Sequence, residues 1–195
     1  GDILINFTEL TKQAGYSVEA ATTLSKLSLT TEKSSKAITE TYLGQVKALN
    51  AQNGLAINGK QLLNDISNIS KATLVTYEKN PKELAKAAFE VKKIGLGLKE
   101  IEGIQQSLLD IESSIGSEFE AEVMTGRQLN LERARYYALT NDISGLAQEM
   151  NKQGITAAKF GELNIIQQES TAKALGMSRE EMGKMLIEQE SIAAV

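Results

Sequence analysis

The chain has 195 residues, enough for one ordinary domain or two small ones. It contains no histidine and no cysteine, which excludes disulfides and thiolate metal sites and removes the commonest general bases and nucleophiles. Its formal net charge of −4 gives no basic field for binding phosphates. We therefore expect a protein that is not an enzyme, with no catalytic, metal-binding or cofactor-binding residues and no specific nucleic-acid partner.

Helical periodicity dominates the sequence, and no stretch shows the sustained alternation of a strand. Aromatic content is 5%, without tryptophan, so the apolar residues are mainly small or aliphatic. We predict an all-α fold of multiple short amphipathic helices joined by glycine-capped corners, as a helical bundle or an extended array of helical hairpins. We divide it into an N-terminal helical region, residues 1–79, and a C-terminal helical region, residues 80–195, with one continuous array as the alternative.

The N-terminal region begins with three predicted helices. The first covers Ile3–Gln13 and ends before Gly15, and Ser17 caps the second. The third runs from about Glu32 to Asn50. It is followed by Asn53-Gly54, a pair suited to a left-handed C-cap.

Of the next two predicted helices, one ends before the only proline of the chain and the other begins at it. The segment 58–71 carries apolar residues at steps of three and four, which predicts one amphipathic helix. The clearest helix start follows at Asn80-Pro81, where a cap residue precedes proline at the first helical position and Glu83 lies in the first turn. Gly95 closes this helix. Its predicted buried face consists of Leu84, Ala87, Ala88, Val91 and Ile94.

The following helix has the most regular apolar pattern in the chain. The residues that alternate steps of three and four are Ile101, Ile104, Leu108, Ile111 and Ile115, and Phe119 and Val123 continue at steps of four. We predict one long amphipathic helix that buries this stripe within its own domain, with a coiled coil as the alternative, because coiled coils need three or four sustained heptads. The helix breaks at Thr125-Gly126.

Several shorter predictions follow this break. Asn130 is expected to cap a helix that runs to about Thr140, and Asn141-Asp142 to form a turn or a new cap. A helix over Ile143–Lys152 ends near Gly154, and a longer one reaches Leu175.

The last corner is marked by Gly176 and Ser178. Gly176 stops one helix, and Ser178 with Glu181 forms a capping box for the final one. The predicted buried stripe of that helix is Met182, Met185, Leu186, Ile192 and Ala193. The spacing of Ala172, Gly176 and Met182 also fits a helix-turn-helix DNA-binding unit. However, residues 179–190 carry two cations and four carboxylates, +2 − 4 = −2, which opposes contact with phosphates.

Three glycines, Gly15, Gly95 and Gly176, recur about eighty residues apart, each between two predicted helices. Each is followed by an apolar residue and a small residue that can cap the next helix. The pattern indicates either an internal repeat or the general chemistry of helix corners.

A possible interaction surface lies after Gly126, because arginine and tyrosine are enriched at interface hot spots. Its members are Arg127, Arg133, Arg135, Tyr136 and Tyr137. Glu132 lies among them, so a solvated helix face is the alternative. The carboxylates between Asp110 and Glu122 are interpreted as a charged outer face, since no bent loop brings them together as ligands.

The run Glu120–Leu139, EAEVMTGRQLNLERARYYAL, resembles a stretch common in the tail tape-measure proteins of tailed phages and prophages. Leu108–Ile115, Gln167–Ala172 and Leu175–Ser178 fit the same pattern, so the likeness covers the second half of the chain best. The resemblance implies a long, mostly helical protein inside the tail tube, whose length sets tail length and which leaves during genome delivery. The membrane-interacting stretches and lytic domains that such proteins can carry are missing from these residues.

The resemblance also implies partners and a location. The partners would be copies of itself in a homo-oligomer, tail-tube proteins and tail-assembly chaperones, and the location would be the virion tail, after synthesis in the host cytoplasm. The sequence shows no signal peptide and no apolar run that could span a bilayer, so no membrane contact is expected from this segment. Gly1 in place of methionine suggests a processed or excised piece of something longer, or a tag scar. The alternatives are a stand-alone bacterial helical interaction or adaptor module and a helix-turn-helix DNA-binding protein.

Overall fold

The computed structural model describes residues 18, 21–22, 35–77 and 79–194. Within them every regular element is an α-helix and no strand occurs, which confirms the predicted fold class. The chain forms two compact units, Gly1–Phe89 and Glu90–Val195, which divide within a helix. The boundary between the predicted N-terminal region, residues 1–79, and the predicted C-terminal region, residues 80–195, stays a prediction. The helix predicted over Ile3–Gln13 and the corner at Gly15 and Ser17 lie outside the described residues.

The first unit contains α1 (Ser35–Asn53), α2 (Gly59–Ile66), α3 (Lys71–Tyr77) and most of α4 (Pro81–Lys93). The segment 58–71 is therefore divided, because a turn after Ile66 ends α2 and a new helix begins at Lys71. Helix α1 packs on α2. The Asn50 side chain stabilises the loop between these two helices, because it donates to the Ile57 carbonyl and accepts from the Ile57 amide, both at 2.9 Å.

The core of the first unit is formed by apolar side chains of α1, α2 and α4. Its largest fully buried side chains include Ile38, Tyr42, Leu62, Leu63, Ile66, Leu84 and Phe89. Helix α4 begins at Pro81 as predicted, and the Oδ1 atom of Asn80 accepts from the Glu83 amide at 3.4 Å. All five residues of the predicted α4 stripe are buried.

The second unit contains the end of α4 and seven further described helices. They are α5 (Leu98–Leu109), α6 (Ile111–Thr125), α7 (Glu132–Leu139), α8 (Ile143–Lys152), α9 (Ala157–Gly161), α10 (Ile165–Ala174) and α11 (Arg179–Ala193). Helix α6 packs on α10, α7 packs on α5 and α8, and α11 packs on α9 and α10. Two elements predicted as single helices are each divided: one at Asp110, where ψ is 78°, and one between Gly161 and Ile165.

Glycines in the left-handed region follow five of the helices. They are Gly54, Gly95, Gly126, Gly154 and Gly176, with φ between +63° and +91°. After Gly95 and Gly176, the amide of the next residue donates to the carbonyl of the residue five positions earlier. These bonds run from Leu96 to Val91 at 3.1 Å and from Met177 to Ala172 at 2.9 Å. The same bond joins Leu55 to Asn50 after Gly54, which lies outside the eighty-residue pattern. This favours general corner chemistry over an internal repeat.

The helix starts show which caps the sequence predicts correctly. Ser178 and Glu181 form the expected capping box, and Asp142 caps α8 by accepting from the Gly145 amide at 2.9 Å. Asn130 is a correction, because the N-cap position of α7 belongs to Leu131. The Asn130 side chain accepts from the Glu132 amide at 3.4 Å. Because Asn130 lies one residue before the N-cap position, it does not cap the helix.

The last helix buries most of its predicted stripe. Met182, Met185 and Leu186 are buried, whereas Ile192 is half-buried and Ala193 is exposed. Helix α10 begins with a capping box that the sequence analysis did not predict. The Asn164 side chain accepts from the Gln167 amide, and the Gln167 side chain accepts from the Asn164 amide.

We expect Gly95→Ala to destabilise the second unit by more than about 2 kcal/mol, because Gly95 has φ +91° and an added Cβ would clash with the Met185 carbonyl oxygen. Gly116→Ala is the matched control, since no atom lies within 4 Å of its Cβ position and alanine is the better helix former. Urea unfolding followed by circular dichroism measures both. Equal stabilities for the two variants would contradict the corner geometry.

We expect Tyr42→Phe to raise the stability of the first unit by about 1 kcal/mol. The Tyr42 hydroxyl is buried and has no hydrogen-bond partner among the residues that the structure describes. Burial raises the pKa of this phenol, so the unfolded chain loses the proton first and stability falls as the pH rises above about 10. Unfolding midpoints between pH 8 and 11 should show this alkaline loss in the native chain and less of it in the variant. Tyr136→Phe, at an exposed position, should keep the native profile.

Candidate interaction surfaces

The predicted arginine and tyrosine surface does not hold together as one patch. Of its five residues, only Arg133 and Tyr136 are exposed, and Arg127, Arg135 and Tyr137 are half-buried. The three half-buried residues each make a contact within the second unit. Most of the predicted surface therefore has a structural role.

Arg135 links α7 to α6. Its guanidinium pairs with Glu118 and donates through Nε to the Ser114 hydroxyl at 2.9 Å. The side chains of the ion pair are only 11% and 13% exposed. The second Glu118 oxygen accepts from the Leu131 amide at 3.0 Å. Each carboxylate oxygen thus has a donor, as a buried charge requires.

Arg127 holds the loop that follows α6 against the end of α8. Its guanidinium donates to the Gln153 carbonyl. In return the Gln153 side chain donates to the Asn130 carbonyl at 3.1 Å. This pair of bonds joins the loop between Gly126 and Asn130 to the end of α8.

Arg133 and Tyr136 are the exposed part of the predicted surface, and both contact the half-buried Tyr137. The Arg133 guanidinium donates to the Tyr137 hydroxyl at 3.2 Å and lies 5.9 Å from the centre of its ring. This hydrogen bond raises the pKa of Arg133. The two tyrosine rings meet edge to face, with centroids 5.6 Å apart.

A hollow of about 570 Å³ lies beside these residues. Three cations border it, namely Arg127, Arg133 and Lys152, against the one carboxylate of Glu149. Glu149 is buried and pairs with Lys152 at 3.0 Å and with Arg133 at 3.9 Å. The hollow is therefore a locally basic surface in a chain of net negative charge.

Helix α6 presents a second surface, which sequence reasoning assigned to the interior. Four large side chains at steps of four form an apolar row, here called the α6 ridge. Their exposed fractions are 47% for Ile111, 51% for Ile115, 68% for Phe119 and 66% for Val123. The predicted buried stripe is correct as far as Leu108 and wrong from Ile111 onward, because the break at Asp110 separates the two halves of the pattern.

The opposite face of α6 explains why the ridge points outward. Its buried residues are the small Ser114, Ser117 and Ala121. Helix α6 packs on α10, whose buried residues are Gln168, Ser170, Thr171, Ala172 and Ala174. The Gln167 side chain at the start of α10 donates to the Met124 carbonyl at the end of α6, at 3.1 Å, so the helices run antiparallel. Small side chains on both helices allow a close approach, which large residues would prevent.

Acidic residues surround the α6 ridge. Helix α6 carries Glu112, Glu118, Glu120 and Glu122 and no lysine or arginine. Glu118 pairs with Arg135, whereas the other three form no salt bridge within the part of the chain that the structure describes. The ridge is therefore an apolar surface with a negative border.

Two further hollows lie on the surface of the second unit. One, of about 520 Å³, is polar and lies over the Gly176 corner, bordered by Asp110, Lys173 and Glu181. The other, of about 250 Å³, is lined by apolar residues of α8 and α11 that include Met150, Met182 and Met185. Among the described residues, no group of three acidic side chains could hold a metal ion, and no helix is long and apolar enough to cross a membrane.

Comparisons of the chain with protein-family models, with curated proteins and with solved structures each return no match.

We expect Arg135→Gln to destabilise the second unit by about 3 kcal/mol, because the change leaves the Glu118 carboxylate buried without its cation. Arg133→Gln is the matched control on the same helix, since the Arg133 side chain is 67% exposed and its loss should have little effect. Chemical unfolding of the two variants compares them directly. If Arg133→Gln proved as damaging as Arg135→Gln, the structural role assigned to Arg135 would be wrong.

Proposed function

We propose that the chain is a non-catalytic, helical structural segment of a phage tail tape-measure protein. Three observations support this. The run Glu120–Leu139 resembles that family, the described residues fold only as helices, and the chain has neither histidine nor cysteine for catalysis. The structural observation that carries the proposal is the α6 ridge, because an apolar row left on the outside of a helix suits a protein that acts by packing against other helices.

In this role the segment is part of the virion tail. It packs with copies of itself, with tail-tube proteins and with tail-assembly chaperones, and it occupies the tube until the genome is delivered. Setting length requires a long axis and no active site, since a helix extends by about 1.5 Å per residue. The resembling run ends α6, passes through the Gly126 loop and includes all of α7. Arg135 lies within this run, and its partner Glu118 lies two residues before the run begins.

A stand-alone helical adaptor module is the second candidate, because the α6 ridge would serve an adaptor equally well. The genes beside this one separate the two candidates. Tail-tube and baseplate genes alongside favour the tape-measure role, and their absence favours the adaptor.

DNA binding by the last corner is disfavoured by charge and by contacts. Arg179, one of the two cations on α11, donates to the Gln168 side chain at 2.6 Å within the unit. The other is Lys184, and the same helix carries Glu180, Glu181, Glu188 and Glu190. A helix with this charge would repel phosphates.

The tape-measure role predicts a change in tail length. In a phage that carries this gene, in-frame deletion of residues 90–195 should shorten the tail by up to about 160 Å, which is 106 residues at about 1.5 Å each. Replacement of the same residues by an unrelated helical sequence of equal length should restore the tail length. Electron microscopy of purified virions measures both. Assembled tails of unchanged length after the deletion would refute the proposal.

A further inference from the structure

The α6 ridge has the dimensions of a docking site for one helix. From Ile111 to Val123 it spans twelve residue steps, or about 18 Å along the axis. Four large side chains, each about half exposed or more, give an apolar patch of several hundred Å², on the order of the largest found on monomers. A row at steps of four packs against a similar row with the two helices crossing at about −50°.

Charge determines which kind of helix fits. The border of the ridge carries the exposed Glu112 and Glu120 and the half-buried Glu122, and α6 has no cation of its own. A partner that covers the apolar row must bring its flanking residues close to these carboxylates. Lysine or arginine at those positions would gain attraction, whereas acidic flanks would be repelled.

A second copy of α6 does not satisfy this requirement. An antiparallel two-fold pairing centred on the ridge places Ile111 against Val123 and Ile115 against Phe119, which is favourable. The same symmetry brings Glu112 of each copy beside Glu120 of the other, along one edge of the interface. Like charges at this edge oppose the dimer at neutral pH.

We propose that the α6 ridge binds an amphipathic helix of another protein, one with an apolar row at steps of four flanked by lysine or arginine. The inference goes beyond the tape-measure role and does not depend on it, because it rests only on the surface of the second unit. Association between copies of the chain, which the tape-measure role implies, then uses a different surface.

Two synthetic peptides of fifteen residues test the proposal. Both are helical with leucine at every fourth position, and one has lysine at the flanking positions where the other has glutamate. Binding to the full chain is followed by fluorescence anisotropy at low and high salt. We expect the lysine peptide to bind at least about tenfold more tightly than the glutamate peptide, with an advantage that shrinks as salt is added.

Variants of the chain locate the binding. Phe119→Ser should weaken binding of the lysine peptide at least about tenfold, because the largest exposed apolar side chain of the ridge is lost. Ile187→Ser on α11 is the matched control, since Ile187 is 69% exposed and lies outside the ridge. The double change Glu112→Gln with Glu122→Gln should reduce the advantage of the lysine peptide while the ridge stays intact.

Three results would overturn the proposal. The first is that neither peptide binds, or that both bind equally. The second is that Phe119→Ser and Ile187→Ser have the same effect. The third is that light scattering shows a dimer that Phe119→Ser dissociates, which would make a second copy the occupant of the ridge.

Discussion

The contact between Glu118 and Arg135 fixes how α6 is rotated about its own axis, and the surface of the second unit depends on that rotation. Arg135 reaches from α7 to Glu118 and Ser114 of α6, and the Leu131 amide completes the contact. On the neighbouring strip of α6, Ser117 and Ala121 lie against α10. With one side of α6 held by a buried ion pair and the next by small side chains, the large apolar side chains have only the outside left.

Polar side chains join the helices elsewhere in the second unit too. Gln105 of α5 donates to the Ala138 carbonyl at 2.9 Å and to the Asn141 side chain at 3.0 Å, so it ties α5 to the corner after α7. Buried Gln168 of α10 donates to the Phe160 carbonyl at 2.8 Å and accepts from Arg179 of α11. Such bonds work only at one relative position of the helices, whereas apolar contacts tolerate sliding. The small buried residues of α6 leave the large apolar side chains of that helix on the surface of the unit.

The sequence predicts the corners and the all-α class well because both depend on local chemistry. The Pro81 start, the bounds of α8, the turns at Gly95 and Gly176 and the Ser178 capping box all follow from residues within one or two turns of helix. The cap predicted at Asn130 is wrong, because Leu131 takes the N-cap position. Bonds from Arg127 and Gln153 close the loop there, and each joins residues more than twenty positions apart in the sequence.

The interaction surfaces were harder to predict for the same reason. An apolar pattern shows which residues share a face of a helix, but a second helix decides whether that face is covered. The small residues Ser114, Ser117 and Ala121, at steps of three and four, are the signal that could have identified the buried face of α6. Among the predicted interaction residues, Arg135 could be told from Arg133 only by knowing where Glu118 lies, seventeen residues away.

The rotation of α6 can be measured directly because the chain has no cysteine of its own. Single changes Ala121→Cys and Val123→Cys place a thiol two residues apart on the same helix, at positions that are 0% and 66% exposed. The account predicts that the thiol at position 123 reacts with a thiol reagent at nearly the rate of an unfolded peptide, while the thiol at position 121 reacts at least about a hundredfold more slowly, limited by local opening. Equal rates, or protection of position 123 in place of 121, would show that α6 is turned the other way and that the ridge is not a surface of the protein.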